Sequence, residues 1–181
     1  IGNGDLTLNG TALGALTLAT DATLSAADIA TWANAASSAT NVTATATNTL
    51  TVDLSDFDST RRLSINGTTI VDAVAPTSAR ELANLVNAQS ATTDVIATID
   101  SNGNLVLSNS EGHEGENIVL GSPDATDTSN FLGLANSVQT GTVYYEATTD
   151  GGAIDFGFGN YWSGVGTPQD LARIGLATTI S

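Results

Sequence analysis

The chain has 181 residues, 41% of them hydrophobic, which is enough for one or two small domains with real cores and too apolar for a disordered tail. Its formal net charge is −15, from 4 Lys+Arg against 19 Asp+Glu, so no basic patch can be assembled to bind a nucleic-acid backbone or an anionic membrane. The absence of Cys removes disulfides and thiolate metal sites, and no stretch approaches the ~18 apolar residues of a membrane-spanning helix.

Charged residues make up only 13% of the chain, so Thr, Ser, Asn and Gly must cover its surface. Ile1 stands where an initiator Met would, which leads us to expect a fragment or a mature product. No basic segment followed by an apolar stretch marks a signal peptide.

In chain order, Leu6-Thr-Leu8 alternates and meets Asn9-Gly10, a pair that supplies the positive φ values of a type I′ hairpin turn. Leu13, Leu16 and Leu18 are predicted to form the return strand, and residues 21–24 a connector. Ser25-Ala-Ala-Asp28 resembles a capping box, with Asp in place of the usual Glu. Ile29, Trp32, Ala33 and Ala36 then follow at the spacing of one helical face. Residues 41–54 return to alternation, with Val42, Ala44 and Ala46 on one strand and Leu50, Val52 and Leu54 on the next. Asn48 is predicted as the turn between them.

The same phrase is then repeated. Leu63-Ser-Ile65 meets Asn66-Gly67, Ile70 and Val71 continue a strand, and Ser78-Ala-Arg-Glu81 is a capping box. Leu82, Leu85, Val86 and Gln89 define the helical face. Residues 95–99 and 105–107 flank Asp100-Ser-Asn-Gly-Asn104 as a hairpin with a longer turn. Asn9 aligns with Asn66. Ser25, Asp28, Ile29, Trp32 and Asn34 align with Ser78, Glu81, Leu82, Leu85 and Asn87. Val42 aligns with Val95, and Leu50 with Leu105.

The remainder offers a short strand at Ile118-Val-Leu120, an apolar step at Phe131-Leu-Gly-Leu134 and a strand at Val143-Tyr-Tyr145. A Gly-rich stretch follows over residues 150–166, interleaved with Phe156, Phe158, Tyr161 and Trp162. Thr167-Pro-Gln-Asp170 reads as a helix start running into Leu171 to Leu176. The predicted fold is therefore α+β. Two tandem ββαββ-like modules, residues 1–58 and 59–130, each have a small antiparallel sheet covered by one helix. Residues 131–181 form a Gly/aromatic-rich, mostly β segment packed on them.

No catalytic, cofactor-binding or metal residues are assigned. Asp100, Asn102, Asn104, Ser108 and Glu111 mimic a calcium loop, but Leu105 occupies the position that needs Gly and the segment runs on as a strand. Asp53, Asp56 and Asp58, with Arg61 and Arg62 close by, could hold a cation but read better as a solvated linker. His113, the only histidine, begins half of an H-E-x-x-H motif whose second ligand position is Asn117. The glycines at 157 and 159 lack the sequel of a nucleotide-binding loop. Asn9, Asn41 and Asn66 satisfy the N-glycosylation pattern, two of them within predicted hairpin turns.

These residues resemble the hook IN motif of bacterial flagellar axial proteins, the flagellins and hook-associated proteins. That family carries an Ile-Asn-Gly hairpin, a short helix and an Ala-x-Ile-Asp-x-x-Gly-x-Leu-x-Leu-x-Ser hairpin, often followed by Gly-x-x-Ile-x-Leu and Phe-Leu-Gly-Leu. The matching residues here are Ile65-Asn66-Gly67, the helix from Leu82 to Asn87, Ala97 to Ser108, Gly115 to Leu120 and Phe131 to Leu134. The first module is a weaker copy, with Leu8 in place of Ile.

The resemblance implies a non-enzymatic, extracellular structural protein of the flagellum. Such a module is the surface-exposed outer domain of an axial protein, flagellin first. Its partners are neighbouring subunits of the same filament, with host or surface ligands as further candidates and no nucleic acid, membrane or cofactor. Alternatives are a hook-associated or filament-cap protein, or a glycan-binding surface adhesin or layer module using the aromatics at 156–162 as a sugar platform. O-glycosylated surface Ser and Thr are also compatible with the family.

Overall fold

The structure, a computed structural model, describes residues 1–17, 23–159 and 174. The predicted α+β architecture of small antiparallel sheets and short helices is present. The chain divides into two compact units: residues 47–141, and residues 1–46 together with 142–181.

The unit of residues 47–141 begins with β-strands β5 (Leu63–Ile65) and β6 (Thr68–Val71), joined through Asn66 and Gly67 at φ 48° and 78°, the two left-handed residues of a type I′ turn. Helix α3 (Ala79–Ala88) starts at Ser78, whose Oγ accepts from the Glu81 N–H at 3.2 Å. The Glu81 carboxylate reaches past the cap to the Thr77 N–H at 2.7 Å, so the capping box expected here is only half made. In the other unit the shorter Asp28 completes the reciprocal pair with Ser25. The buried stripe of α3 is Ala79, Leu82, Ala83 and Val86, whereas Leu85, predicted on that face, is 36% exposed. The two alanines let the helix sit close on its strands, which turns the apolar stripe away from Leu85.

A four-residue turn α4 (Ser90–Thr93) ends at Asp94 in the left-handed conformation. It leads to β7 (Val95–Ile99), which pairs antiparallel with β8 (Leu105–Asn109) in the predicted hairpin. Strand β9 (Ile118–Gly121) pairs with β5, and β10 (Ser137–Gln139) pairs with β9. Leu63, Ile65, Leu82, Leu105, Leu107, Ile118 and Leu132 are fully buried in one core. Phe131 and Leu132 close that core from the Phe-Leu-Gly-Leu step, with the Phe131 ring 5.2 Å from that of Phe57.

The other unit repeats this plan. Strands β1 (Leu6–Leu8) and β2 (Thr11–Ala12) turn at Asn9 and Gly10. Helix α1 (Ala26–Asn34) buries Ile29, Trp32 and Ala33, as its spacing predicts. The turn α2 (Ser37–Thr40) again ends in a left-handed residue, Asn41, before β3 (Val42–Thr47). The return strand is shorter than predicted. Past Ala12, backbone bonds such as Leu13 N–H to Leu6 O at 2.9 Å, and the Trp32 indole N–H to Gly14 O at 2.7 Å, keep residues 13–16 in place without a ladder. Leu18 lies outside the described residues, as do Asp21, Tyr161, Trp162 and the predicted helix of residues 167–176 apart from Ile174, which is buried in this core.

The hairpin predicted across Asn48 does not form. A single residue separates β3 from β4 (Thr49–Val52), too few to reverse the chain, and β4 pairs with β8, Leu50 opposite Leu107 and Val52 opposite Leu105. Asn48 is 5% exposed, and its side-chain amide donates to Glu116 O at 2.8 Å and Gln139 O at 2.7 Å. The partner of β3 is β11 (Thr142–Ala147), and β12 (Phe156–Phe158) pairs with β1. Strands β11 and β12 thus hold the places taken by β8 and β9 in residues 47–141. The alignment of Leu50 with Leu105 is corrected accordingly: the Thr148 N–H binds Asn41 O as the Ser110 N–H binds Asp94 O.

Two glycines and a tyrosine give expected outcomes for urea unfolding. A Cβ on Gly133 would lie 2.0 Å from the Asp56 carbonyl oxygen at φ +75°, so Gly133→Ala is expected to cost more than about 2 kcal/mol. Gly67 faces open space at φ +78°, so Gly67→Val is expected to cost on the order of 1 kcal/mol from backbone conformation alone. Equal effects would remove the steric assignment of Gly133. Tyr145 is half-buried, its hydroxyl has no partner among the described residues, and burial pushes its pKa up to about 12. Its folded pKa lies above the unfolded value of about 10. That contribution to stability is therefore complete below about pH 10 and is lost as pH rises towards 12. Tyr145→Phe is expected to abolish this alkaline loss while leaving the urea midpoint at pH 7 unchanged or slightly raised.

Candidate functional site

The acidic residues flagged in the sequence are occupied by their own backbone. Asp53 Oδ1 accepts from the N–H and hydroxyl of Ser55, both at 2.9 Å, and these bonds, the N–H first, hold its pKa below the usual carboxylate range. Asp58 does the same with Thr60, whose hydroxyl at 2.6 Å is the larger cause. Arg61 pairs with Asp58 and Asp127, and Arg62 with Asp72 at 3.2 Å and Asp124 at 3.5 Å. Such partly exposed pairs contribute about 0–1 kcal/mol each. They organise the segment leading into β5 and leave its carboxylates turned to local donors rather than converging on one point.

The calcium-like stretch is a hairpin turn. Asp100 Oδ1 accepts from the backbone of Asn102 at 2.8 Å and of Asn104 at 2.9 Å, and the Asn104 N–H is the main cause of its lowered pKa. Ser108 is a ladder residue of β8 opposite Ile96 and Thr49, so the oxygens at 100, 108 and 111 follow a strand instead of encircling a centre.

His113 has partners that the sequence did not reveal. Its Nε2 lies 3.4 Å from Asp94 Oδ1, and its Nδ1 lies 3.1 Å from Glu116 Oε1. Glu116 stands at the i+3 position. Asp94 was not visible in the sequence, because only the β7–β8 register brings residue 94 beside the turn after β8. Glu114 is engaged elsewhere: its own N–H and that of Gly112 hold its pKa down, with the nearby imidazole adding least.

Of the aromatic residues proposed as a sugar platform, Phe156 packs edge-on against Tyr145, ring centroids 4.9 Å apart, and Phe158 is 43% exposed. Tyr161 and Trp162 lie outside the described residues. An open concavity of about 550 Å³ lies beside β11, lined by residues 145–152 and Ile154, with Tyr145 the one aromatic among the described residues that line it. Of the candidate glycosylation positions, Asn9 and Asn66 use both atoms of their side-chain amides in hydrogen bonds, and Asn41 is exposed.

Among the described residues, no helix is long and apolar enough to cross a membrane. No curated protein matches the chain significantly. Residues 62–111, which run from the start of β5 through the hairpin of β7 and β8, match the family model described as the flagellin hook IN motif. The segment with the best-formed repeat is thus similar to a flagellin hook IN motif, over 50 of the 181 residues.

Proposed function

We propose that this chain is the outer, solvent-facing domain of a bacterial flagellar axial protein, with flagellin as the first assignment. On this reading it is displayed on the extracellular filament and acts by packing and lateral contact with neighbouring subunits. The observation that carries the reading is the hook IN match over residues 62–111, which falls on the β5–β8 segment of a compact unit.

A further feature supports it. The net charge of −15 suits a surface that must not associate with its own kind between filaments. Among the described residues, carboxylates such as Asp53 and Asp58 cap turns and Asp72 pairs with Arg62, which supports a structural role.

Immunogold electron microscopy of the source cells, with antibody raised against this chain, tests the proposal. Gold is expected along the whole length of the flagellar filament. Gold confined to the filament tip or the hook junction would reassign the domain to the cap or another hook-associated protein. Gold on the cell body beside bare flagella would overturn the flagellar reading in favour of a surface adhesin.

A further inference from the structure

We propose that Asp94, His113 and Glu116 form a binding site for a first-row transition-metal ion of the Zn²⁺ type. One ligand atom from each residue lies within 4.8 Å of the others. The pair Nε2 of His113 and Oδ1 of Asp94, 3.4 Å apart, already has about the 3.3 Å separation of neighbouring ligands on a tetrahedral ion with bonds of about 2.0–2.1 Å. Glu116 Oε1 lies 3.1 Å from the other ring nitrogen, Nδ1, on a half-exposed side chain, and completes the group of three ligand atoms.

Hydrogen bonding leaves this arrangement unexplained. The 3.4 Å contact exceeds the ordinary N–H···O range, and Nδ1, although shielded from solvent, makes no hydrogen bond among the described residues despite the carboxylate oxygen 3.1 Å away. The backbones that carry the three residues are fixed independently. Asp94 closes α4 through its N–H to Ser90 O at 2.8 Å, and its carbonyl accepts from Ser110. The His113 N–H binds Ser110 O, the Glu116 N–H binds His113 O, and Gly115 is held by the Asn109 side chain at 3.0 Å.

The trio is not a requirement of the module. The other unit carries Asn41 at the position of Asp94 and has no histidine at all. One imidazole and two carboxylates suit zinc and its neighbours better than calcium, which prefers oxygen ligands throughout, and they leave coordination positions for water. A bound ion would fasten the α4–β7 corner to the loop before β9.

Isothermal titration of the whole chain with ZnCl₂ at pH 7 in a non-chelating buffer tests the site, with the His113 imidazole resonances followed by NMR. Saturable one-to-one binding is expected, with the resonances shifting in step. Affinity is expected to fall by about tenfold or more in both His113→Asn and Asp94→Asn. The second variant preserves the fold, because Asn occupies the same left-handed position at Asn41. No saturable heat, unmoved resonances, or binding that survives both substitutions as diffuse attraction to the acidic surface would each overturn the assignment.

Discussion

One asparagine per unit holds the fold together at the point where three chain segments meet. Asn66 occupies the left-handed region at φ 48°, which frees its side chain to face inward from the hairpin. Its Nδ2 donates to Thr93 O at 2.6 Å, the end of α4, while its Oδ1 accepts from the Val119 N–H at 2.8 Å and its own N–H donates to Val119 O at 2.9 Å. Asn9 repeats every bond: Nδ2 to Thr40 O at 2.8 Å, Oδ1 from the Asp155 N–H at 2.9 Å, and N–H to Asp155 O at 2.7 Å. Only Asn combines tolerance of positive φ with a donor and an acceptor on a short stem. Asp lacks the donor and Gly lacks both groups. The Ile-Asn-Gly phrase is therefore a three-way clasp as well as a turn.

A second asparagine performs a related task on the sheet. Asn87 at the end of α3 gives Nδ2 to Ala97 O at 2.9 Å and takes the Ala97 N–H on Oδ1 at 2.8 Å, imitating a neighbouring strand along the outer edge of β7. Asn34 does the same for Ala44 of β3. An edge strand with free backbone groups is a template for unwanted pairing, and these amides occupy it from within the module. With charged residues at 13%, solubility then rests on Thr43, Thr45 and Thr47 facing outward from β3 and on turns closed by short polar side chains. A surface of this kind suits display at high local density, where exposed strand edges would be a hazard.

What the sequence made legible was local. The Asn-Gly turns, both helix starts, the α1 stripe and the β7–β8 hairpin depend on neighbours a few residues away, so periodicity and turn chemistry were enough. The pairing of β4 was not legible. Its alternation showed which side chains face inward but not which strand lies alongside, and the choice of β8 over β3 is a long-range one. Asn48 looked like a turn residue because Asn often is. Its actual use as a buried donor to Glu116 and Gln139 depends on residues 68 and 91 positions away. The same limit hid Asp94 from His113, whereas the acidic cluster at 53–58 read as a solvated linker because charge runs usually stay in water, and the structure adds that Asp53 and Asp58 close local turns with Ser55 and Thr60.

The account stands on the claim that residues 47–141 are closed on themselves by the Asn66 clasp and the Asn48 contacts. The direct measurement is amide hydrogen exchange and urea unfolding of that segment produced alone. One cooperative transition is expected, with the Ile65, Val119 and Leu120 amides protected as strongly as in the whole chain. A segment that exchanges freely and unfolds without cooperativity would contradict the claim, since its stability would then come from contacts outside residues 47–141.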